Sequence, residues 1–564
     1  MRALVVSCLV LAGCGSDTYL VVTVNARASV HDATKLEVTQ INAGTTKISN
    51  LDLGGHAFPV TFSISAPGHS GQLDLAIKAI TADGLLAGLG SGSTTLESTD
   101  ATVQLDPADF VVNTDVADDQ FLTTDFETVG FQLASTTDGN WTVGFGSKCT
   151  ECNLYARRFD VNGVAVKTAA AAGTNAFPVT TVTTQPSQSF PAIASAGTST
   201  IEVWDFFDVS DSGTGVACRT IDPMGALSPG QLSITAMTEV ADTVSATALS
   251  NGNYAVTWQL TAPNQIRSII VLPDCTTLSV NPVTVSTTAG TTGPHRAQVA
   301  NNGPAVLYAW ITDDAIHIKT ATTALSGLSA ESVLVSPPVG FLIEEVRVAP
   351  MGAGFAVAAR LTATNRTSPG SILLYRVSAA GALVAGPPTL VTDKSGSDFS
   401  NGRVGFGIAT RSDGATMIVW HQCDDGTGGV CDGRLDVYGR VVRPTGVPVG
   451  DPFEVPTSTV GNQINPSVVA IPSAFAVSWN DASKTDPDPD GTAVRARIVY
   501  PPFDEAASIL GAACGASLPP CGTGLACAMG SDNAMRCYES CTPPMCPHGG
   551  SCSPASGGGS ACTF

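Results

Sequence analysis

Composition and charge limit the kinds of protein that this chain can be. Of its 564 residues, 43% are apolar and only 13% are charged, and the formal net charge at pH 7 is −21. Lys and Arg form no cluster, which excludes a nucleic-acid binder with a basic stripe and excludes charge attraction to an anionic membrane. Gly, Ser and Thr are abundant, and no long segment has the apolar spacing of a helix. The chain is therefore predicted to be all-β, with many short strands.

The N-terminus has the pattern of an export signal. A short positive end precedes an apolar run, up to residue 11, that is too short to span a bilayer. The L-A-G-C sequence that ends at Cys14 resembles the lipobox of bacterial lipoproteins. This resemblance implies that residues 1–13 are removed and that the acylated Cys14 anchors the chain in a membrane. Because Gly15 is not Asp, it implies the outer membrane, with the chain periplasmic or surface-exposed. An ordinary signal peptide with an incidental cysteine is the alternative.

Residues 14–107 have the alternation of a small β-sandwich of the immunoglobulin-like kind. Apolar residues occupy every second position in three segments, namely Val22 and Val24, then Phe58, Val60, Phe62 and Ile64, then Leu73, Leu75 and Ile77. Turn pairs such as Ala43-Gly44 and Asp83-Gly84 separate the strands, and this spacing is typical of a sandwich. Because the domain follows the predicted lipid site directly, we expect it to act as a spacer.

A repeated strand organises residues 108–507. Its clearest copy, Asn251 to Trp258, is a turn followed by an alternating apolar strand, and six variants end at residues 145, 204, 310, 359, 420 and 479. Five of the six tryptophans in the chain lie at this closing position, which favours packing between repeats over ligand stacking. Each unit is predicted to hold four strands, and seven such units resemble a seven-bladed β-propeller.

The last unit is predicted to take its fourth strand from the N-terminal side. Residues 109–114 (D-F-V-V-N-T) resemble residues 452–457 (P-F-E-V-P-T), which supply the fourth strand of the sixth unit. We expect residues 109–114 to pair beside residues 494–500, because this closes the ring and covers an otherwise open sheet edge.

Cysteines mark a separate C-terminal module, residues 508–564. The spacing C-x5-C-x9-C occurs twice, and the eight cysteines are Cys514, Cys521, Cys527, Cys537, Cys541, Cys546, Cys552 and Cys562. So many cysteines in a short exported segment predict a disulfide framework, which we expect to be confined within each four-cysteine half. Zinc is the alternative, although only His548 is nearby.

The repeat region holds three further pairs of cysteines. Cys149 and Cys152 lie in one loop, and Cys423 and Cys431 flank another. In an exported chain we expect both pairs to form structural disulfides. Cys149 and Cys152 also have the C-x-x-C spacing of a redox site, which is the alternative for that pair. The third pair, Cys218 and Cys275, either bridges neighbouring blades or stays apart.

An acidic run resembles the start of a calcium-binding loop. Asp486, Asp488 and Asp490 alternate and precede Gly491, as carboxylates do where they wrap a hard cation. The ninth and twelfth positions of such a loop are not acidic here, so a plain acidic loop is the alternative. No other cofactor is expected.

Long polar loops in the sixth and seventh units suggest where a partner binds. Asp424, Asp425, Asp432 and Asp481 are the candidate contact residues, because loops on a rigid scaffold usually carry function. No catalytic motif and no recurring polar position is apparent in the repeats. The favoured hypothesis is therefore a lipid-anchored, non-enzymatic cell-envelope protein that binds a protein or polysaccharide. The alternatives are a glycan hydrolase or lyase with its site at the mouth of the ring, which converging charges there would favour, and a purely structural envelope protein.

Overall fold

The computed structural model describes residues 19–501, except residues 66, 68, 115–119, 122–131, 148–152, 172, 181–186, 189–190, 209–212, 236–240, 262, 279–280, 287–294, 314, 365–369, 396–404, 424–433, 459, 486–487 and 489–490, and only four strands beyond residue 501. The described part is built from strands and turns, which confirms the predicted all-β class. Within it, no helical segment is long and apolar enough to cross a membrane. The predicted lipobox cysteine, Cys14, lies outside the described residues.

The N-terminal strands form one curved sheet. They are β1 (Tyr19–Ala26), β2 (Ala33–Asn42), β3 (Thr45–Asp52), β4 (Val60–Ser65), β5 (Gln72–Thr81), β6 (Leu86–Thr95) and β7 (Asp100–Pro107). The strand order is β3-β2-β5-β6-β7-β1-β4. Only two residue pairs join β6 to β7, and the apolar residues on both sides of this junction share one core. The predicted two-sheet sandwich is therefore a single sheet, bent like half a barrel.

Glycines in β6 explain the bend. A Cβ at Gly90 would lie 2.1 Å from the carbonyl oxygen of Gln104, and one at Gly88 would lie 2.9 Å from that of Asp106. Only glycine permits such a close approach of two backbones, and glycine within a strand often marks a sharp bend. The sheet therefore folds over its own core at β6 instead of splitting into two layers.

Seven blades follow, five of four strands and two of five, which confirms the predicted propeller. Before and within the first two blades lie β8 (Phe110–Val111), β9 (Gln120–Phe121), β10 (Leu133–Ser135), β11 (Trp141–Ser147), β12 (Leu154–Phe159), β13 (Phe177–Pro178), β14 (Ser187–Gln188), β15 (Ala192–Ala196), β16 (Ser199–Asp208), β17 (Gly213–Ile221) and β18 (Leu232–Ser233). Blade 1 has the order β10-β11-β12-β13, with β9 also pairing β11. In blade 2, both β14 and β15 pair β16, and β17 and β18 follow.

Blades 3 to 7 continue the same meander. Their strands are β19 (Ala241–Ala248), β20 (Tyr254–Thr261), β21 (Asn264–Val271), β22 (Val283–Thr284), β23 (His295–Asn302), β24 (Ala305–Thr312), β25 (Ala315–Thr322), β26 (Ser332–Val335), β27 (Phe341–Met351), β28 (Gly354–Ala363), β29 (Gly370–Val377), β30 (Thr389–Ser395), β31 (Phe406–Thr410), β32 (Thr416–Cys423), β33 (Leu435–Val442), β34 (Pro448–Glu454), β35 (Gln463–Ile471), β36 (Ala474–Asp481) and β37 (Ala493–Val499). The repeated strand of the sequence is the second strand of every blade. The first strands contact one another around the ring and line its central channel.

The ring closes as the sequence predicts. β8 is the fourth strand of blade 7, with Val111 opposite Arg495 and Phe110 opposite Ala496. The pairing continues beyond β8, because the backbone N–H of Val112 donates to the carbonyl of Val494 at 2.7 Å. A strand from before blade 1 thus covers the edge that blade 7 would otherwise leave open.

The repeated tryptophans pack between blades. All six tryptophans are fully buried. Trp204 shares a core cluster with Leu154 of blade 1, and Trp258 shares one with Val216 of blade 2. Each of these tryptophans therefore packs against the preceding blade, in agreement with the packing role that the repeat predicts.

A disulfide joins blades 2 and 3. Cys218 lies in β17, and its partner Cys275 lies in the turn after β21. Cys275 has a φ of 68°, a backbone conformation that Gly163 and Gly225 adopt in the corresponding turns of blades 1 and 2. Of the two possibilities that the sequence left open for this pair, the bridge between neighbouring blades is the one observed.

The other predicted disulfides are only partly within the described residues. Cys423 is disulfide-bonded, but its predicted partner Cys431 lies outside the described residues, as do Cys149 and Cys152. The same holds for four cysteines of the C-terminal module, Cys514, Cys521, Cys541 and Cys546.

The C-terminal module contains two hairpins in the described residues. They are β38 (Leu525–Met529) with β39 (Met535–Glu539), and β40 (Ser551–Pro554) with β41 (Ser560–Thr563). Cys527 is directly opposite Cys537 in the first hairpin, and Cys552 is directly opposite Cys562 in the second. The tandem spacing seen in the sequence thus corresponds to two hairpins of equal register, and the disulfide pattern within them stays a prediction.

Candidate functional site

In four blades, the pairing between the first and second strands changes register near the N-terminal end of the first strand. A β-bulge interrupts the pairing of first and second strands in blades 3, 4, 5 and 7. The irregular stretches begin at Thr243, Arg296, Glu344 and Asn465, and we call this end of the channel the channel mouth. A bulge bends the strand and re-aims a side chain, and bulges are frequent next to active sites.

Three of these residues have an unfavourable backbone conformation. The φ angles of Thr243, Arg296 and Asn465 are 43°, 55° and 54°. Positive φ is uncommon for residues other than glycine and is most unfavourable for a β-branched residue such as threonine. Strain of this kind costs about 1–3 kcal/mol per residue and is concentrated at functional sites. The same strain at equivalent positions in three blades singles out the channel mouth.

Glu344 is held by residues of two blades. Arg360 of β28 donates from Nη1 to its carboxylate, and the hydroxyl of Thr362 donates to the same oxygen, Oε2, at 2.8 Å. From blade 4, Arg296 donates to the backbone carbonyl of Glu344. The Glu344 side chain keeps 14% of its surface exposed, whereas that of Arg360 keeps 1%. The carboxylate is therefore fixed in place but still accessible.

A second carboxyl group lies beside Glu344 in a different environment. Glu345 is 2% exposed, and its Oε1 lies 2.5 Å from Nη2 of Arg347. Burial raises the pKa of Glu345, and the nearby guanidinium of Arg347 opposes that rise. Arg347 also donates from Nε to the carbonyl of Phe406 in blade 6, at 2.9 Å. Blades 4, 5 and 6 thus meet around two glutamates and three arginines.

Burial also changes the two arginines that hold these glutamates. It lowers the pKa of both Arg347 and Arg360, and the neighbouring glutamates oppose the change. Arg360 interacts electrostatically with Glu344 and with Glu345. The charged groups of the channel mouth therefore interact with one another and are not separately surrounded by solvent.

Blade 6 contributes a histidine, His421, at the same end of the channel, where Asn465 of blade 7 contacts it. The backbone N–H of Asn465 donates to Nδ1 of His421 at 3.4 Å, so Nδ1 is the acceptor nitrogen. His421 is 1% exposed. A Cβ at Gly405 would lie 3.1 Å from the Cα of Asn465, which shows how closely the two first strands approach here.

The opposite end of the channel has a different chemistry. A cavity of about 480 Å³ is lined there by small apolar and hydroxyl side chains of the first strands, such as Ala194, Ser195 and Ala409. The one charged residue among those described around it is Arg411, which donates to Asp413 and to the carbonyl of Ser473. Charged groups with unequal environments therefore lie at the channel mouth and not at this end.

Two of the acidic residues that the sequence singles out in blade 7, Asp481 and Asp488, serve ring closure. Asp481 is 1% exposed and accepts from Nε of Arg495 at 2.6 Å. Asp488 is 2% exposed and accepts from Nδ2 of Asn113 at 2.6 Å. Buried and bonded carboxylates cannot form an exposed binding surface, so the predicted contact role of Asp481 is wrong. The other acidic candidates, Asp424, Asp425, Asp432, Asp486 and Asp490, lie outside the described residues.

Of the three carboxylates in the predicted calcium-binding run, that of Asp488 already accepts a hydrogen bond within the protein. The Asp488 carboxylate faces Asn113, and within the described residues no group of three or more His, Cys, Asp or Glu side chains is arranged to hold a metal ion. Calcium binding at this run stays a prediction.

The sequence analysis did not identify the channel mouth, because the residue type at the bulge differs from blade to blade. The equivalent bulge positions hold Thr, Arg, Glu and Asn, so no recurring polar residue marks them. The available signal was the run F-L-I-E-E-V-R-V from Phe341 to Val348. It places three charged residues inside an apolar strand, and buried charges in a core strand have to be paired.

Comparisons with known proteins show similarity of structure but no detectable similarity of sequence. No family model matches the chain, and no curated protein is similar to it. Among solved structures, it is similar to a polysaccharide lyase, PL25-ulvanlyase, bound to -[GlcA(1-4)Rha3S]-, with 10% identity, 68% of this chain and 94% of that chain covered, and a TM-score of 0.44. The polysaccharide lyase Uly1 is 8% identical, with 66% of this chain and 90% of that chain covered and a TM-score of 0.39. A thermostable family-43 glycoside hydrolase is 13% identical, with 47% of this chain and 97% of that chain covered and a TM-score of 0.31.

These similar structures contradict the expectation that the chain is not an enzyme. All three are named as polysaccharide lyases or a glycoside hydrolase. The expectation rested on the missing recurrent polar position, and the bulges of the channel mouth hold residues of different kinds, which that criterion does not detect. The similarity is one of fold, and any reaction has to be argued from the residues of this chain.

Proposed function

We propose that this protein is a glycan-cleaving enzyme, a hydrolase or a lyase, with its active site at the channel mouth. The observation that carries the proposal is the meeting of Glu344, Glu345, Arg296, Arg347 and Arg360 where blades 4, 5 and 6 approach. Two carboxyl groups in unequal environments are the usual basis for dividing acid and base roles between residues. Converging charges at the mouth are also the feature that separates an enzyme from a binding propeller.

Glu344 is the proposed general base. A hydrolase needs a base to activate water, and a lyase needs one to remove a proton from the sugar ring, so this role is common to both reactions. The Glu344 carboxylate is accessible, and Arg360 and Thr362 hold it in a single orientation. Arg360 and Thr362 act through Glu344 and are therefore positioning residues. Arg296, half-buried beside it, supplies a cation toward the substrate.

The test is a cleavage assay on a panel of neutral and uronic-acid polysaccharides. New reducing ends without ultraviolet absorbance indicate a hydrolase, and reducing ends together with an unsaturated, absorbing product indicate a lyase. Glu344→Gln should lower kcat about 10²–10⁴-fold, whereas Glu97→Gln, on the N-terminal sheet, should leave it unchanged. Cleavage that survives Glu344→Gln in full, or no cleavage of any polysaccharide, would refute the proposal.

Thr362→Val separates positioning from folding. The valine keeps the shape of the side chain but removes the hydrogen bond to Glu344. We expect kcat to fall while KM stays the same, because the lost donor had held the Glu344 carboxylate in its orientation. Thr362→Ser keeps the donor and should restore kcat. A purely structural role of Thr362 would lower stability and leave kcat in place.

A further inference from the structure

A second concave site lies away from the channel mouth. A cleft of about 840 Å³ is bounded by turns of the N-terminal sheet on one side and by the edge of blades 7 and 1 on the other. Its wall includes His31 and Asp83 from the sheet and Phe110, Asn162, Asn175 and Ser458 from the propeller. Its size is within the range of small-ligand sites, which occur preferentially between domains.

The floor of this cleft is fixed by hydrogen bonds from the propeller to the connecting segment. Arg497 donates from Nε to the carbonyl of Pro107 at 2.8 Å, and Arg157 donates from Nη1 to that of Val112 at 2.8 Å. The carboxylate of Asp109 accepts from the backbone N–H groups of Thr457 and Ser458, at 2.8 and 3.1 Å. A cleft whose walls are already ordered loses little entropy when a ligand binds.

On the propeller side of the cleft, the polar groups that remain available are uncharged. Among the described residues, the side-chain amides of Asn162 and Asn175 and the hydroxyl of Ser458 make no hydrogen bond within the protein. Amides and hydroxyls both donate and accept, which suits a ligand rich in hydroxyl groups.

The charges around the cleft argue against an anionic ligand. Both arginines that line it are engaged, because Arg157 donates to backbone carbonyls and Arg495 donates to Asp481 and Asp109. The N-terminal sheet contributes Asp32 and Asp83 to the same wall. An anion would meet these carboxylates without an available guanidinium, so a neutral ligand fits better.

Phe110 gives the cleft an apolar surface at a fixed place. Its ring is half-buried, with centroids 5.2 Å from Phe159 and 6.3 Å from Trp141. Next to it, Gly163 has no side chain, and a Cβ there would lie 3.1 Å from Cε1 of Phe110. An aromatic ring beside free amides and a hydroxyl offers a sugar both a surface for its C–H groups and partners for its hydroxyls.

We propose that this cleft is a binding site for a neutral oligosaccharide, separate from the channel mouth and without a catalytic role. The inference goes beyond the proposed reaction and does not depend on it. Its basis is the combination of an ordered cleft, uncharged free polar groups on the propeller side and a half-buried aromatic ring. The site would hold a neutral glycan against the side of the ring whether or not the mouth cleaves it.

The test is calorimetric titration of the full chain with neutral hexaoses of the cello-, manno-, xylo- and laminari- series, with hexagalacturonate as the anionic probe. At least one neutral hexaose should bind, and more tightly than hexagalacturonate. The double variant Asn162→Ala/Asn175→Ala should weaken this binding about tenfold or more while the melting temperature stays the same.

Asn50→Ala, at an exposed position of the N-terminal sheet outside the cleft, is the matched control and should leave hexaose binding unchanged. Failure of every neutral hexaose to bind would overturn the inference. So would tighter binding of hexagalacturonate, or hexaose binding that the cleft double variant keeps in full. None of these outcomes depends on cleavage, so they leave the proposed enzymatic function to its own assay.

Discussion

The side-chain Nδ2 of Asn113 donates to the carboxylate of Asp488 over 2.6 Å, joining residues 375 positions apart in the chain. The same Nδ2 donates to Oε1 of Gln120 at 3.0 Å, and Oδ1 of Asn113 accepts from the backbone N–H of Val494 at 2.9 Å. Asn113 is 4% exposed. One buried amide therefore ties the segment before blade 1 to the last blade, beside the strand that closes the ring.

Asn113→Ala should destabilise the propeller by about 1–3 kcal/mol, because it leaves the buried Asp488 carboxylate and the N–H of Val494 without this partner. The measurement is the midpoint of chemical denaturation. Asn50→Ala, at an exposed position of the N-terminal sheet, is the control and should shift the midpoint little. Equal midpoints for the two variants would show that the amide does not hold the ring closed.

The ring and its closure were predictable because they depend on repetition. Residues 109–114 resemble residues 452–457, and the copies of one strand fix the number of blades. The bend at Gly88 and Gly90 and the bulges at the mouth were not predictable, because each depends on how two distant backbones approach. The same limit applies to Asp481, which looks like a loop carboxylate in the sequence and is buried against Arg495 in the fold.

Loss of the disulfide between blades 2 and 3 should cost about 2–4 kcal/mol, because the bond closes a long loop in the unfolded chain. Cys218 and Cys275 are 57 residues apart, and both are buried. The double variant Cys218→Ala/Cys275→Ala, compared with the parent chain without reductant, should denature at a lower midpoint. An unchanged midpoint would mean that blade packing alone sets the stability of this interface.

Glu202 should make the stability of the propeller fall as the pH rises. It is 0% exposed, neither carboxylate oxygen has a hydrogen-bond partner in the described structure, and burial raises its pKa well above the ordinary value of 4.5. The folded state then keeps a proton that the unfolded state releases. The stabilising effect is complete below pH 4.5 and is lost toward the raised pKa, with a slope of up to about 1.4 kcal/mol per pH unit.

Glu202→Gln removes this titration, so its stability relative to the parent chain should increase from pH 5 to pH 8. Asn50→Ala, at an exposed position of the N-terminal sheet that carries no titratable group, should keep a constant difference over the same range. A constant difference for Glu202→Gln as well would mean that the carboxyl is solvated or ionised in the folded protein.

The lipid anchor is open to a direct test. We propose that Cys14 is acylated, since its surroundings resemble a lipobox, and several acyl chains anchor a protein stably. Cys14→Ser should move the protein from the membrane fraction to the soluble fraction of its cells. Membrane partitioning that does not change would leave Cys14 as an incidental cysteine after an ordinary export signal.

The strain at the channel mouth should be measurable by exchanging threonine for asparagine at two positions of the same strand. Thr243 has a φ of 43°, whereas Thr247 lies in the regularly paired part of β19. Asparagine tolerates the left-handed region better than a β-branched residue but is disfavoured in a regular strand. Thr243→Asn should therefore raise the free energy of unfolding by about 1 kcal/mol, and Thr247→Asn should lower it by up to about 1 kcal/mol.

The change in the free energy of unfolding caused by Thr243→Asn, compared with that caused by Thr247→Asn, shows whether the backbone at position 243 is strained. If Thr243→Asn stabilises the chain and also lowers cleavage, the conformation is retained for the site, as expected of functional strain. If both exchanges destabilise the chain equally, position 243 behaves as ordinary strand, and the bulges lose their value as a marker of the active site.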